Sequence, residues 1–197
     1  MNTKEHYDLL IEENNDPVFD PPGLKEYMDK WDGEVFIEKL ALTKEKTVLE
    51  IGVGTGRLAL KTAPLCKTFC GIDLSPKTVE KARVNLSAFS NVELICANFL
   101  NFRFDESYDV IYSSLTFMHI QNKKKCIKKI SRLLNENGIF VLSVDKSHNK
   151  SLEYGNRKIK LYPDDPEKIR EYIALSGLIL QEQTQTEFAN IFVCKKG

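Results

Sequence analysis

The stretch Thr47-Val48-Leu49-Glu50-Ile51-Gly52-Val53-Gly54-Thr55-Gly56 constrains this chain more than any other. Val48 to Ile51 is an apolar run that carries one acid, Glu50. It ends in glycines at alternate positions, Gly52, Gly54 and Gly56, and Arg57 to Leu65 then reads as a helix. Apolar strand, glycine turn and helix is how α/β proteins bring backbone close to a nucleotide-like ligand. Glycine adopts φ > 0 readily and has no Cβ to hold the ligand away.

From Lys46 onward strands and helices alternate. Thr68 to Ile72, Asn91 to Ala97 and Tyr108 to Ser113 read as further strands. Ser75-Pro76 places a cap before a proline at the first helical position, with Val79, Ala82 and Leu86 behind it. Asn122 caps a helix with the stripe Cys126, Ile127, Ile130, Leu133 and Leu134. Asn137-Gly138 is its expected stop, and Ile139 to Val144 the fifth strand. Strands linked by helices imply a parallel sheet with both faces covered. The tail differs. Arg157 to Tyr162 is a short extended segment. Asp165-Pro166 opens a helix with Ile169, Tyr172, Ile173 and Leu175 inward and Gly177 as its stop. Leu178 to Glu187 and Ile191 to Cys194 follow with no helix between them, so they pair antiparallel.

Residues 1–45 form a polar-aromatic lead-in with helices near Tyr7 to Ile11, Leu24 to Trp31 and beyond Asp32-Gly33, where Val35, Phe36, Ile37 and Leu40 are apolar. Tyr7, Phe19, Tyr27 and Trp31 have two readings. They pack against the core, or they belong to a lid over the ligand pocket.

At 197 residues the chain suits one domain and is short for two. Lys plus Arg and Asp plus Glu are both 28, so no basic excess marks a nucleic-acid binder. No apolar run approaches the roughly 20 residues of a membrane helix. The first residues are polar, without a signal-peptide core, and a cytoplasmic location is the expectation. Cys66, Cys70, Cys96, Cys126 and Cys194 show neither Cys-x-x-Cys nor a histidine at metal spacing. They read as reduced thiols, with Cys96, Cys126 and Cys194 as buried small hydrophobes, and no metal is expected.

Asp73 ends the second strand, 17 residues beyond Gly56. Nucleotide-binding α/β folds place there a carboxylate that accepts hydrogen bonds from ribose hydroxyls. An ordinary NAD site is disfavoured. Its fingerprint is G-x-G-x-x-G, whereas here the third glycine comes one residue early and position 57 is arginine. Glu50 would repel a pyrophosphate but attract a cationic or amino-bearing ligand.

Val48 to Gly56 resembles the first motif of class I S-adenosylmethionine-dependent methyltransferases, and Gly71-Ile72-Asp73-Leu74-Ser75 resembles the second. The resemblance continues through Asn91 to Phe99, Tyr108 to Ser113 and Ile130 to Leu142, and covers roughly residues 44–145. It implies an α/β, three-layer Rossmann-like methyltransferase sheet with helices on both faces. The seven strands would lie in the order 3-2-1-4-5-7-6, the last antiparallel. The single domain would divide into a helical lid (1–45), a cofactor-binding core (46–145) and an acceptor-side loop, helix and hairpin (146–197). S-adenosylmethionine would be the cofactor and S-adenosylhomocysteine its product.

By the same resemblance Gly52, Val53, Gly54 and Gly56 pass under the methionine part, with Glu50 near the amino group. Asp73 takes the ribose, Leu74 lies against adenine, Asn98 and Phe99 flank the adenine edge, and Ser113 lies near the amino group. Many relatives carry aspartate at the position of Asn98; the amide oxygen still accepts a hydrogen bond. Ser113-Ser114-Leu115-Thr116 lacks the Asn/Asp-Pro-Pro-aromatic signature of enzymes that methylate exocyclic amines of nucleic-acid bases. Leu115 to Ile120 is similar to the small-molecule branch, of the kind found in ubiquinone and menaquinone biosynthesis, where a histidine often stands. His119 is therefore the candidate base, with a packed or capping histidine as the alternative. Tyr7, Trp31, Tyr154 and Tyr162 are the candidate acceptor residues. Lys123-Lys124-Lys125 with Lys128-Lys129 reads as a solvated face.

The expected reaction is methyl transfer to a small molecule by in-line displacement, without nucleic acid or membrane as partner. Competing readings are an NAD-dependent oxidoreductase, a non-catalytic cofactor-binding protein, and a protein or RNA methyltransferase. The sequence names neither the methyl acceptor nor an oligomeric state.

Overall fold

Successive side chains of a strand point to opposite faces of its sheet, and in β1 (Thr47–Ile51) both faces are covered. Leu49 and Ile51 join one apolar cluster and Val48 joins the other. The computed structural model describes residues 1–197. In it β2 (Thr68–Asp73), β3 (Val92–Cys96), β4 (Tyr108–Ser113) and β5 (Leu134–Asp145) run parallel to β1. β6 (Ser151–Tyr154) and β7 (Arg157–Lys160) form a separate hairpin. β9 (Ala189–Lys196) lies antiparallel to β5 and to β8 (Leu178–Gln185). The main sheet has the order β3-β2-β1-β4-β5-β9-β8. Counted without the hairpin, that is the expected 3-2-1-4-5-7-6.

α3 (Gly33–Lys39), α4 (Ala59–Thr62) and α5 (Pro76–Asn85) cover the Val48 face through Phe36, Leu40, Ala59, Val79 and Ala82. α6 (Lys123–Leu133) and α7 (Pro166–Leu175) cover the Leu49 face through Cys126, Ile127, Ile130, Ile169 and Ile173. Burying a side chain such as Phe36 contributes about 1.5–3 kcal/mol. The helix starts are those marked in the sequence. Ser75 Oγ accepts from the Thr78 amide, Asn122 Oδ1 from Lys125, and Asp165 Oδ1 from Glu167 and Lys168. Gly177 follows α7 with φ 76°. α1 (Thr3–Glu12) and α2 (Pro22–Met28) complete the lead-in.

Several expectations are corrected. The helix expected from Arg57 to Leu65 is one α-turn, α4, followed by a 3₁₀ turn over Ala63–Leu65, because Pro64 has no amide hydrogen to continue it. α6 ends at Leu133, not at Asn137-Gly138. Leu134 already pairs with Tyr108 in the sheet, and its carbonyl accepts from Lys196 Nζ at 2.7 Å. Asn137, at φ 63°, and Gly138 instead make an irregularity within β5. The extended segment near Arg157 is one arm of the β6–β7 hairpin. Leu175 is exposed rather than inward, and Cys96 is exposed rather than buried.

In the basic cluster Lys124, Lys125 and Lys128 are exposed, as on a solvated face, but Lys123 and Lys129 depart from it. Lys123 is only 8% exposed. Its Nζ donates to the carbonyls of Phe117, Ile120 and Tyr162 at 2.7, 3.0 and 2.7 Å. It forms an ion pair with buried Asp164 at 3.1 Å. Lys129 Nζ bonds the carbonyls of Phe99 and Phe102. A lysine stem can lie along an apolar surface while its head finds oxygen partners, and here the partners are carbonyls at loop ends. No helix is long and apolar enough to cross a membrane.

Candidate active site

The C-terminal ends of β1, β2 and β4 open into one cavity of about 1150 Å³. A single small ligand commonly occupies roughly 300–1,000 Å³, so this one has room for two molecules side by side. One half is built from the glycine loop and the end of β2, the other from α1, the segment after β4 and the loop before α7.

The glycine loop is shaped by its neighbours. Gly52 has φ 80°, and a Cβ there would lie 1.9 Å from Thr116 Oγ1. The segment after β4 thus leaves no space for a side chain. Gly54 has φ 56° and nothing near its absent Cβ, so its backbone faces open cavity. The Gly54 amide donates to Asp73 Oδ2 at 3.1 Å and the Ser75 amide to Oδ1 at 3.0 Å. Two backbone donors orient this carboxylate at the cavity wall. Burial raises its pKa, and these amides, with that of Leu74, counter the shift. Thr55 Oγ1 is buried without a partner in the same loop.

Glu50 lies on the Val48 side of β1, at the cavity wall. Tyr112 donates to its Oε2 at 2.9 Å, and the Tyr112 and Thr62 hydroxyls are 2.8 Å apart. Burial pushes the Glu50 carboxyl up to about 8, against the pull of the Tyr112 hydrogen bond and of Arg57. Arg57 is itself held. Its Nη1 donates to Asp32 Oδ1 at 3.1 Å, its Nη2 bonds Oδ2, and Ser114 Oγ donates to Asp32 Oδ2 at 2.7 Å. Buried Asp32 therefore ties the lead-in, the glycine loop and the end of β4 together.

In the other half the Tyr7 hydroxyl lies 2.9 Å from His119 Nε2, and the rings meet edge to face. His119 Nδ1 is buried without a partner. Burial, with His6 and Lys123 nearby, pulls the imidazole down to about 4. Tyr7 is displaced upward by burial and by Asp73. Tyr162 and Tyr172 complete the aromatic wall.

Of the residues picked from the sequence, Glu50, Gly52, Val53, Gly54, Asp73, Leu74, Asn98, Phe99, Tyr7, His119 and Tyr162 meet at this cavity. Four do not. Ser113 is fully buried, its hydroxyl bonded to the Ile51 carbonyl at 2.8 Å, so it locks β4 to β1. A Cβ on Gly56 would lie 3.1 Å from Leu86, so that glycine serves helix packing. Trp31 packs against Phe188 with the rings tilted and their centroids 4.7 Å apart, and its carbonyl accepts from Ser143 Oγ at 2.6 Å, which pins the lead-in to β5. Tyr154 stands on the outer hairpin against His6 and Arg157. Asn98 does line the cavity, but its Oδ1 is taken by the Leu100 amide at 2.9 Å. Sequence reasoning missed Thr55, Thr116, Lys123 and the Asp32–Arg57 pair. The Asp32-Gly33 break was visible, but its partner was not. Leu115 carries φ 54° with no glycine to signal it.

A family model described as a methyltransferase domain matches residues 42–191. The chain belongs to this methyltransferase-domain family. Among curated relatives, an uncharacterized methyltransferase of Anoxybacillus flavithermus is 34% identical over 123 residues, covering 60% of this chain and 57% of that protein. A malonyl-[acyl-carrier protein] O-methyltransferase of the same organism is 33% identical over 100 residues, covering 50% and 38%. The chain thus spans about half the length, or less, of these relatives. Among solved structures, the N-methyltransferase NodS of Bradyrhizobium japonicum, in complex with S-adenosylhomocysteine, superposes with a TM-score of 0.74 at 17% identity, covering 100% of this chain and 99% of that one. The [4+2]-cyclase SpnF superposes with a TM-score of 0.73 at 16% identity, covering 98% and 95%. At these identities the likeness is one of fold, and the fold serves more than one chemistry.

Proposed function

We propose that this protein binds S-adenosylmethionine and transfers its methyl group to a small-molecule acceptor held in the second half of the same cavity. The observation that carries the reading is the Asp73 carboxylate, fixed by the Gly54 and Ser75 amides beside a glycine loop whose backbone faces open space. Unpartnered Thr55 Oγ1 and buried Glu50 suit a ligand with amino and hydroxyl groups. The family membership and the S-adenosylhomocysteine complex of NodS support the same assignment.

In this reading Asp73 accepts from the ribose hydroxyls and Leu74 and Phe99 border the adenine. The Gly52–Gly54 backbone and Glu50 hold the methionine end. The sulfonium supplies an electrophilic methyl group. The chain's own task is to align the acceptor lone pair with it and exclude water, and alignment of this kind contributes on the order of 7–11 kcal/mol. α1, which places Tyr7 on the cavity, acts as the lid. The rest of the lead-in is anchored through Asp32 and Trp31.

Calorimetric titration with S-adenosylhomocysteine and with NADH tests the assignment, with binding of the first and not of the second as the expected result. Tight NADH binding without S-adenosylhomocysteine would replace the reading with an oxidoreductase. A second reading is a cofactor-binding protein that does not transfer methyl, since the same fold serves more than one chemistry. Label transfer from methyl-labelled S-adenosylmethionine into any cell-extract fraction separates it from the enzyme.

A further inference from the structure

The acceptor half contains many ionisable groups, most of them already hydrogen-bonded within the protein. His119 Nε2 is occupied by the Tyr7 hydroxyl at 2.9 Å, and its Nδ1 is buried. The carboxylates on the cavity wall are engaged as well. Glu50 accepts from Tyr112, Asp73 from two backbone amides, and Asp165 caps α7 through the Glu167 and Lys168 amides. Lys123 is closed off by three carbonyls and Asp164. Three lysines remain at the cavity: Lys4, Lys124 and Lys168. Lys4 has Asp8 at 2.9 Å and Lys168 has Asp165 at 3.7 Å, while Lys124 has no acidic partner. The wall between them is apolar and aromatic, with Leu115, Ile120, Ile169, Tyr162 and Tyr172.

We infer that the methyl acceptor is a small carboxylic acid with an apolar or aromatic body, methylated on its carboxylate oxygen to an ester. An ammonium would have to lose a proton before attack, and an alcohol during it. The groups that could take that proton already hold hydrogen bonds within the protein, and the unpaired Lys124 disfavours an ammonium. A carboxylate is already ionised near neutral pH. One lone pair forms the O–CH₃ bond, the S–CH₃ bond breaks, and its electron pair stays on sulfur as the neutral thioether. No proton moves. The aliphatic and aromatic wall takes the body of the acid, and Lys124 and Lys168 draw in its charge.

This inference rests on the proposed cofactor reading, and the experiment separates the two. S-adenosylhomocysteine binding is measured first. The protein is then given methyl-labelled S-adenosylmethionine and the small-molecule filtrate of a cell extract. The expected product releases its label as volatile methanol in mild alkali, and at saturating S-adenosylmethionine kcat/KM for the partly purified acceptor is level from about pH 6 to about pH 8, above the carboxyl range. The equilibrium readout uses the S-adenosylhomocysteine complex with hydrocinnamate and with phenethylamine, which share a body and differ in charge. Hydrocinnamate is expected to bind more tightly. The double variant Lys124→Glu/Lys168→Glu is expected to lose that preference severalfold while keeping S-adenosylhomocysteine affinity. Cofactor binding with alkali-stable label, with no label in the filtrate, or with preference for the amine overturns the carboxylate assignment and leaves the cofactor reading standing. Absence of S-adenosylhomocysteine binding overturns the cofactor reading itself.

Discussion

The two halves of the cavity are built in opposite ways. The cofactor half comes mostly from the stretch β1 through the start of α5, with Phe99 added from beyond β3, and its centre is backbone: the Gly52–Gly54 turn and the amides that hold Asp73. The acceptor half is made of side chains from segments far apart in the chain. Tyr7 meets His119 across 112 positions, and Lys123 reaches Tyr162 across 39. In the proposed reading the first half recognises its ligand by a shape that few residue types can form. The second is set by contacts that many sequences could make. A methyl donor shared by many enzymes suits the first design, and an acceptor particular to one enzyme suits the second.

Substitutions should therefore separate the halves. The largest effect is expected from Gly52→Ala, whose Cβ would meet Thr116 Oγ1 at a positive φ. Calorimetry should find S-adenosylhomocysteine binding lost, and retained affinity would break the claim that the turn's shape is the site. Lys123→Met leaves Asp164 buried without its cation. Breaking such a pair costs about 3–5 kcal/mol, so urea unfolding should show a drop of that order. Lys123→Met/Asp164→Leu should recover most of it. Stability unchanged in the single variant would return Lys123 to a merely solvated role.

Glu50 gives a pH test of the cofactor half. Its carboxyl is raised from 4.5 to about 8, so the folded state binds the extra proton. Stability is then greatest below the ordinary carboxyl range and falls as pH rises from about 4.5 to about 8. Glu50→Gln should flatten that part of the melting-temperature profile. In the wild type, S-adenosylhomocysteine binding near neutral pH should release protons, because the ligand's ammonium favours the Glu50 carboxylate. A slope that survives in Glu50→Gln would assign the titration elsewhere.

Asp73→Ala removes a carboxylate oriented by two amides. Hydrogen bonds to a charged group are worth about 1.5–3 kcal/mol, so S-adenosylhomocysteine affinity should fall by roughly one to two orders of magnitude. The smallest effect is expected from Tyr7→Phe, which deletes one hydroxyl contact of α1, about 1 kcal/mol. Amide exchange of α1 should quicken while cofactor affinity stays the same. A large loss of cofactor affinity would mean that α1 closes over both halves.

The legibility of the chain follows the same division. β1, the glycine turn and Asp73 could be read because strand period, glycine conformation and strand-end acids are local rules. Ser75, Asn122 and Asp165 could be read as caps because a cap bonds within its own first turn. On sequence Trp31 and Tyr154 suit an acceptor pocket, as exposed-looking aromatics in a lead-in and a loop. In the fold Trp31 instead fills the space beside Phe188, and Tyr154 stands outside on a hairpin. Ser113 and Gly56 sit at the right positions of the right motifs, yet one bonds Ile51 and the other makes room for Leu86.

By itself, the sequence determined the alternation of strands and helices and the antiparallel final pair, since each follows from patterns a few residues long, while the strand order was legible only through the resemblance to a family. Only the tertiary structure decided that Lys123 is buried, that Asp32 anchors Arg57, and that Tyr7 faces His119. Those pairings depend on which distant segments the packed sheet brings within hydrogen-bond reach, and periodicity along the chain carries no record of that distance.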